Sequence, residues 1–282
     1  MDAVEIIEYE RKHRSEVLSL MFYSRLIHTH LDWYQVGHWL DSEEYHVHLM
    51  YEDHYLVGVM GANASVSGVG WVRLIAIQQR SEAARILNSL WQSLLPKLKV
   101  EGMQTISILV INPWLKEYLG DLGFSFLEDV VTLQRGDQPL PDPPVTDVQI
   151  RNGYLEDIAG IAAVDHSAFD PAWQLSLREL RQAQRQTASS TVAVYDGQIV
   201  GYQLSTKHQG SGHLARLAVH PAIQGKRVGA ALLHHLLENM AYRGVRSMTV
   251  NTQASNTFSQ RLYQRYGFFR NGYDIPIWQA KI

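Results

Sequence analysis

The sequence predicts an α+β protein of two similar domains, each a central mixed, mostly antiparallel β-sheet flanked by helices. Three observations predict it. A proline run, Gln138-Pro139-Leu140-Pro141-Asp142-Pro143-Pro144, interrupts the chain near its middle; four prolines in six residues exclude helix and central strand and favour an extended spacer. The segments on either side carry the same landmarks in the same order, 142 to 144 residues apart: Gly58 and Gly201, Ala76 and Ala218, Gly123 and Gly267. The length of 282 residues suits two domains of ordinary size. The expected division is a domain over residues 1–137, a linker over 138–146 and a second domain over 147–282.

Each half shows a hairpin with glycine in its second strand (residues 55–59 and 198–202) and then an apolar strand (72–77 and 214–219). A long amphipathic helix, a β-rich run (105–110 and 247–251) and a short helix ending in Gly-Phe follow. In the second half, residues 147–151 alternate like a strand, 154–168 read as helix, and 173–186 read as a second helix with Leu175, Leu177 and Leu180 apolar. Asp196-Gly197 is a strong hairpin signal. His220-Pro221 ends the next strand. Val228, Leu232, Leu236 and Met240 then recur every four residues, as on a helix with one face on a core, and Gly244 stops it. Ser255-Asn256 opens the last helix, which runs to Tyr266, and residues 268–282 supply one or two final strands.

Composition narrows the function. With no cysteine, disulfides, thiolate metal sites and thiol nucleophiles are excluded, and a reducing compartment fits. A net charge of −3 argues against nucleic acid as the main partner. No apolar run approaches a membrane span, and Met1-Asp2-Ala3-Val4-Glu5 lacks the pattern of a secretory leader. The expected location is cytoplasmic.

The chemistry is concentrated in Leu217-Ala218-Val219-His220-Pro221-Ala222-Ile223-Gln224-Gly225-Lys226-Arg227-Val228-Gly229-Ala230. It reads as a strand, a basic glycine loop and a helix N-terminus. Unpaired helix N–H groups and the helix dipole favour an anion there, two glycines admit close approach, and Lys226 and Arg227 add charge. Taken alone, an ordinary basic turn before a helix reads the same way.

The loop is followed by a second pattern, Asn256, then Tyr263, then Gly267-Phe268. With Gln224-Gly225-Lys226-Arg227-Val228-Gly229, it makes residues 147–282 resemble the GNAT superfamily of acyl-CoA-dependent N-acetyltransferases. Arg227 departs from the signature, whose central residue is glycine; its N–H still serves a phosphate if the backbone there is helical. The resemblance implies acetyl-CoA as cosubstrate and no metal. It places the cofactor pyrophosphate on Gln224, Gly225, Lys226, Arg227, Val228, Gly229 and Ala230. The strand before the loop would splay from its neighbour and pair with the pantetheine arm through Leu217, Ala218 and Val219, and Asn256 would contact that arm. Tyr263 would donate a proton to the leaving thiolate, with Tyr266 a packing aromatic. The acceptor would be a small-molecule amine or a peptide N-terminus. The general base is open: Asn251 stands where some members have glutamate, and Asp165, His166 and Asp170 are candidates by location. A non-catalytic acyl-CoA-binding or regulatory protein is the alternative.

The first half lacks this pattern. Its loop, Gln78-Gln79-Arg80-Ser81-Glu82-Ala83-Ala84-Arg85, has no glycine, and Glu82 opposes a phosphate. Its late helix starts near Asn112, with Leu119 at the tyrosine position and Tyr118 turned away. It resembles a GNAT-like domain that has lost its cofactor chemistry, making the chain a tandem with one degenerate copy. Seven of the thirteen histidines lie in the first 54 residues. The pairs His28/His30 and His46/His48 have no third ligand at metal spacing and read as surface or packing residues. The nearby aromatics, among them Trp33, Trp39 and Trp71, read as core and interdomain face, with an acceptor lid as the alternative.

Overall fold

The computed structural model describes residues 4–42, 45–64 and 68–282. The first three residues, part of the segment read for a leader, lie outside them. In chain order the elements are β1 (Val4–Glu8), α1 (Arg14–Tyr23), β2 (Leu26–Thr29), α2 (Val36–Leu40), β3 (Tyr45–Glu52), β4 (Tyr55–Asn63), β5 (Val69–Ile77), α3 (Ala83–Val100), β6 (Thr105–Leu109), α4 (Lys116–Leu119) and β7 (Ser125–Arg135). The second half adds β8 (Gln149–Asn152), α5 (Ile158–Ala168), α6 (Leu177–Gln186), β9 (Ser189–Tyr195), β10 (Gln198–His208), β11 (Ser211–Val219), α7 (Val228–Tyr242), β12 (Ser247–Gln253), α8 (Thr257–Arg265), β13 (Phe269–Arg270) and β14 (Ile275–Lys281).

The chain forms two compact units, and they do not divide at the proline run. Unit 1 is Met1–Glu128 together with Ile275–Ile282; unit 2 is Asp129–Asp274. In unit 1 the sheet order is β1-β3-β4-β5-β6-β14, with β2 also on β5. In unit 2 it is β7-β12-β11-β10-β9-β8, with β13 on β7. Among the described residues, the one parallel contact in each unit joins the central strand to the strand after the long helix, β5 to β6 and β11 to β12.

The units exchange their last strands. β12 pairs with β7, from Met248↔Arg135 to Gln253↔Val130, and β6 pairs with β14, from Leu109↔Ile277 to Thr105↔Lys281. The expected domains over 1–137 and 147–282 therefore each contain the other's edge strand. Both strands follow a Gly-Phe turn, so local pattern does not say which sheet each completes. The proline run is correspondingly a loop on unit 2. Arg135 Nη2 donates to Pro139 O at 3.5 Å, Gln138 Nε2 to Gly267 O at 2.7 Å, and Thr146 Oγ1 to Lys226 O at 3.2 Å.

The α7 stripe read from the sequence is buried: Val228, Leu232, Leu236 and Met240 all face the core. Leu233, Leu236, Leu237 and Met240 pack with Leu214, Met248 and Val250, and with Val131 and Leu133 of the exchanged β7. In unit 1 the matching layer is Ile86, Leu87, Leu90 and Leu94 of α3 on Met60, Ile75, Ile106 and Ile108. Trp33, Trp39 and Trp71 are buried. The helix expected over 173–186 begins only at Leu177. Ser176 caps it, accepting from Glu179 N–H at 3.2 Å while Glu179 accepts from Ser176 N–H at 2.8 Å, which holds Leu175 outside the helix. No helix among the described residues is long and apolar enough to cross a membrane.

Candidate active site

The site is built on the end of β11. This strand pairs with β12 only over Ser211–Leu214, while its pairing with β10 continues to Val219. Beyond Leu214 the two central strands separate. A register shift falls where they part: Leu204 faces Arg216 and Ser205 faces Leu214, so Ala215 is the extra residue. His220 N–H donates to Val200 O at 2.8 Å. In an antiparallel ladder the bonded residues alternate, so Ala218 and Arg216 turn their backbone groups to β10. Leu217 and Val219 turn theirs to the opening. Of the three residues expected to meet a cofactor arm, these two present backbone to the gap and Ala218 does not. The N–H groups of Leu217 and Val219 thus lie off the β10 ladder and beyond the end of the β12 pairing at Leu214. Val219 O accepts from Gln224 Nε2 at 3.0 Å, which ties the loop to the strand.

The loop from Gln224 to Arg227 is exposed. Gly225 (φ 82°) and Arg227 (φ 62°) both lie in the left-handed region. The expectation of helical backbone at Arg227 is thus corrected: Arg227 is the N-cap of α7 in the conformation that glycine adopts without cost. Alternation of this kind turns successive N–H groups toward one point, a concavity suited to an anion. The first bond of α7 runs from Ala231 N–H to Arg227 O at 3.0 Å, so among the described residues the amides of Val228, Gly229 and Ala230 have no backbone acceptor. Lys226 Nζ sits 5.7 Å from the Tyr195 ring centroid. A left-handed non-glycine residue costs about 1–2 kcal/mol, part of which glycine returns as unfolded-chain entropy. Arg227→Gly is therefore expected to stabilise the protein by about 0.5–1 kcal/mol. A higher urea midpoint at constant m-value checks this; an unchanged midpoint contradicts it.

α8 supplies the next two residues. Asn256 is its N-cap, with Oδ1 accepting from Ser259 N–H at 3.1 Å; the amide Nδ2 remains available as a donor. Tyr263 lies two turns further on, buried, its ring tilted against Phe268 at 5.8 Å. Among the described residues its hydroxyl has no hydrogen-bond partner, and burial pushes its phenol above the ordinary tyrosine range. Tyr266 differs: its hydroxyl donates to Ala230 O at 3.0 Å, a packing link between α8 and α7. Gly229 lies between the two elements. A Cβ there would meet Leu262 Cδ2 and Val219 Cγ2, each at 3.5 Å.

The acceptor-side candidates separate on inspection. Asp165 is fully buried and committed: Oδ2 takes Arg216 Nε at 2.6 Å and the Tyr202 hydroxyl, and Oδ1 takes Leu175 N–H at 3.0 Å. Burial opposes the Arg216 charge, but Tyr202 and Asp165 outweigh it and hold the guanidinium strongly protonated. Arg216 also donates to Trp173 O and lies 4.0 Å from the Phe169 ring centroid. Asp165 is thus an anchor for the 169–175 loop rather than a base. Single-sequence reading had no signal for this pairing across 51 residues. His166 is exposed and its Nε2 meets Leu175 O at 2.9 Å, so the proton sits on Nε2 and Nδ1 is free to accept. Asp170 and Asn251 are exposed.

Unit 1 offers an internal comparison. β5 leaves β6 after Trp71, as β11 leaves β12, but here the gap is filled by β2. Leu26↔Ile77 and His28↔Ile75 occupy the positions that Val219 and Leu217 leave open in unit 2. Asn112, the counterpart of Asn256, donates through Nδ2 to Ile27 O at 2.7 Å. His28 is wholly buried in this strand; burial, with His30 next, lowers its pKa to about 3. The Val72 backbone near its ring is not at hydrogen-bonding geometry. Leu119 is buried where unit 2 has Tyr263. His30 bonds Asp32 and Arg73, His46 bonds Glu101, and His48 bonds Ser93. Among the described residues no cluster of three or more histidines and carboxylates has metal-binding geometry.

Residues 156–268 match the family model described as Acetyltransferase (GNAT) family. The chain is 30% identical over 121 residues to an uncharacterized N-acetyltransferase of Methanocaldococcus jannaschii, covering 42% of this chain and 76% of that one. It is 28% identical over 179 residues to the mycothiol acetyltransferase of Brachybacterium faecium, covering 57% of this chain and 54% of that one. The chain thus spans about half the length of the mycothiol acetyltransferases it matches. Over 99% of its length it shares the fold of a tandem GNAT protein from the clavulanic acid biosynthesis pathway, at 15% identity and TM-score 0.66, with 98% of that chain covered. The family model and the fold place the chain in a class of acyltransferases. This chain belongs to the GNAT acetyltransferase family, whose members transfer an acetyl group from acetyl-CoA.

Proposed function

We propose that unit 2 is an acetyl-CoA-dependent N-acetyltransferase acting by direct attack in a ternary complex. The observation that carries this reading is the open backbone edge of Leu217 and Val219. In unit 1 the same edge is closed by a strand of the chain itself; in unit 2 no strand among the described residues pairs with it, which leaves it for the two amides of pantetheine. The pyrophosphate would lie on the amides of Gly225 to Ala230, with Lys226 and Arg227 supplying charge. Asn256 Nδ2 would donate to the pantetheine arm as Asn112 does to Ile27 O.

A neutral primary amine, of a small molecule or a peptide N-terminus, forms the new C–N bond at the thioester carbonyl. Charge develops on the carbonyl oxygen, and the Leu217 N–H is a fixed donor on that edge. The C–S bond then breaks, and the thiolate takes the proton of the buried Tyr263 hydroxyl. The amine loses its own proton to water or to His166 Nδ1, which has the free lone pair that Asp165 lacks.

Gly229→Glu is expected to weaken acetyl-CoA binding at least tenfold, about 1.4 kcal/mol, by placing a carboxylate where the phosphate belongs. Gly229→Ala, whose Cβ meets only ordinary contacts, is the folding control. Substitutions at Arg80 to Ala83 in unit 1 leave affinity unchanged. Calorimetric titration of the full chain with acetyl-CoA reads all three; equal affinity in Gly229→Glu and wild type refutes the assignment. Thiol release with a panel of amines then identifies the acceptor.

A further inference from the structure

We propose that Phe258 and Arg261, on the outer side of α8, are part of the acyl-CoA site: Phe258 covers the pantetheine chain and Arg261 pairs with a cofactor phosphate. The proposal rests on the reading of unit 2 as the acetyl-CoA site and adds residues to it. Its basis is the internal duplication. The offset of 144 that relates Gly123 to Gly267 also relates Asn112 to Asn256, Trp114 to Phe258, Glu117 to Arg261 and Leu119 to Tyr263.

In unit 1 the occupant of the strand gap is visible, because it is β2. Two side chains of the late helical segment hold it. Asn112 Nδ2 and Trp114 Nε1 both donate to Ile27 O, at 2.7 and 3.2 Å. Trp114 is half-buried and packs on the core of its unit. In unit 2 no strand among the described residues enters the gap, and the counterpart Phe258 is 83% exposed. By the 144-residue offset the ring corresponds to the side chain that grips the occupant in unit 1. Phenylalanine has no N–H to give, which suits contact with a methylene-rich chain more than a carbonyl.

The charges change in the same sense. In unit 1 Arg80 Nη2 donates to both carboxylate oxygens of Glu117, at 2.8 and 2.7 Å, and so ties the degenerate loop to the helix. In unit 2 the acid is replaced by Arg261, while the loop carries Lys226 and Arg227. An ion pair has become a set of like charges. Among the described residues Arg261 has no acidic partner; its guanidinium lies 6.0 Å from the Phe258 ring centroid. Leu262, beside it, is the residue whose Cδ2 approaches Gly229, so α8 lies against the start of α7. Like charges at these corresponding positions are relieved by an anion between them.

The test is calorimetric titration of the full chain with acetyl-CoA and with 3′-dephospho-acetyl-CoA. Both side chains are exposed, so Phe258→Ala and Arg261→Glu are expected to keep the wild-type melting temperature. Phe258→Ala is expected to weaken both ligands about five- to tenfold. Arg261→Glu, which restores the acid of unit 1, is expected to weaken acetyl-CoA more than tenfold, and Arg261→Ala about three- to tenfold. If the loss in Arg261→Ala vanishes with the dephospho ligand, the partner is the 3′-phosphate; if it persists, the partner is the pyrophosphate. Wild-type affinity in Phe258→Ala and Arg261→Glu, alongside weakened binding in Gly229→Glu, overturns this proposal and leaves the site standing. No binding of acetyl-CoA by the wild type overturns both.

Discussion

Tyr263→Phe is expected to lower kcat by about 10²–10⁴-fold, the usual worth of a general acid. The dissociation constant for acetyl-CoA stays nearly constant. The substitution keeps the ring on Phe268 and the packing of α8, and removes only the hydroxyl. That hydroxyl has no partner among the described residues, so nothing in the resting protein is left unsatisfied by its loss. Its value appears only when sulfur gains charge, which is why binding and turnover respond differently. Burial keeps the phenol protonated through the neutral and alkaline range, so no fall in rate near pH 8–9 is expected from this group. Tyr266→Phe is the control. It removes the bond to Ala230 O and costs about 1 kcal/mol of stability with kcat unchanged. Single-turnover acetyl transfer measures both. A wild-type rate in Tyr263→Phe, with chemistry rate-limiting, makes Tyr263 a packing residue.

A chain cut at the proline run is expected to fail as a domain. The fragment 145–282 lacks β7, and with it the six registered pairs from Met248↔Arg135 to Gln253↔Val130. It also loses Val131 and Leu133, which are 1% and 2% exposed in the core beneath α7. Removing two such side chains alone costs about 3–6 kcal/mol, a large share of a small domain's stability. The bared edge of β12 and the unpartnered β14 add two strand edges prone to aggregation. The fragment 129–274 has the complete sheet and proline loop and is expected to unfold cooperatively as a monomer. Circular dichroism melts and size-exclusion profiles of the two fragments decide it; cooperative unfolding of 145–282 contradicts the exchange.

Much of the candidate site was legible because it is local. Gln224 to Ala230 and Asn256 to Phe268 are short segments whose spacing carries their meaning, and α7 declared its buried face through a four-residue repeat. What was hidden depends on partners far away in sequence. The proline composition indicates extended backbone but not which body it lies on. Arg227 looked tolerable because a side chain's identity does not report its φ. Leu217, Ala218 and Val219 read as one run, and only the ladder phase separates the two that face the gap from the one that does not. Asp165 looked like a base until Arg216 and Tyr202 closed around it. The filling of the unit 1 gap was out of reach because β2 is four residues long, with no strand pattern to announce it.

The exchanged strands also bear on how the protein is made. Ribosomes deliver the chain from its amino end, and domains ordinarily complete themselves in that order. Here unit 1 begins first but cannot complete its sheet until Ile275–Ile282 has emerged. Unit 2 has all its parts once residue 274 is out. The earlier unit therefore stays incomplete until the later one has been made, and during synthesis β6 waits with an open edge for a strand some 170 residues downstream.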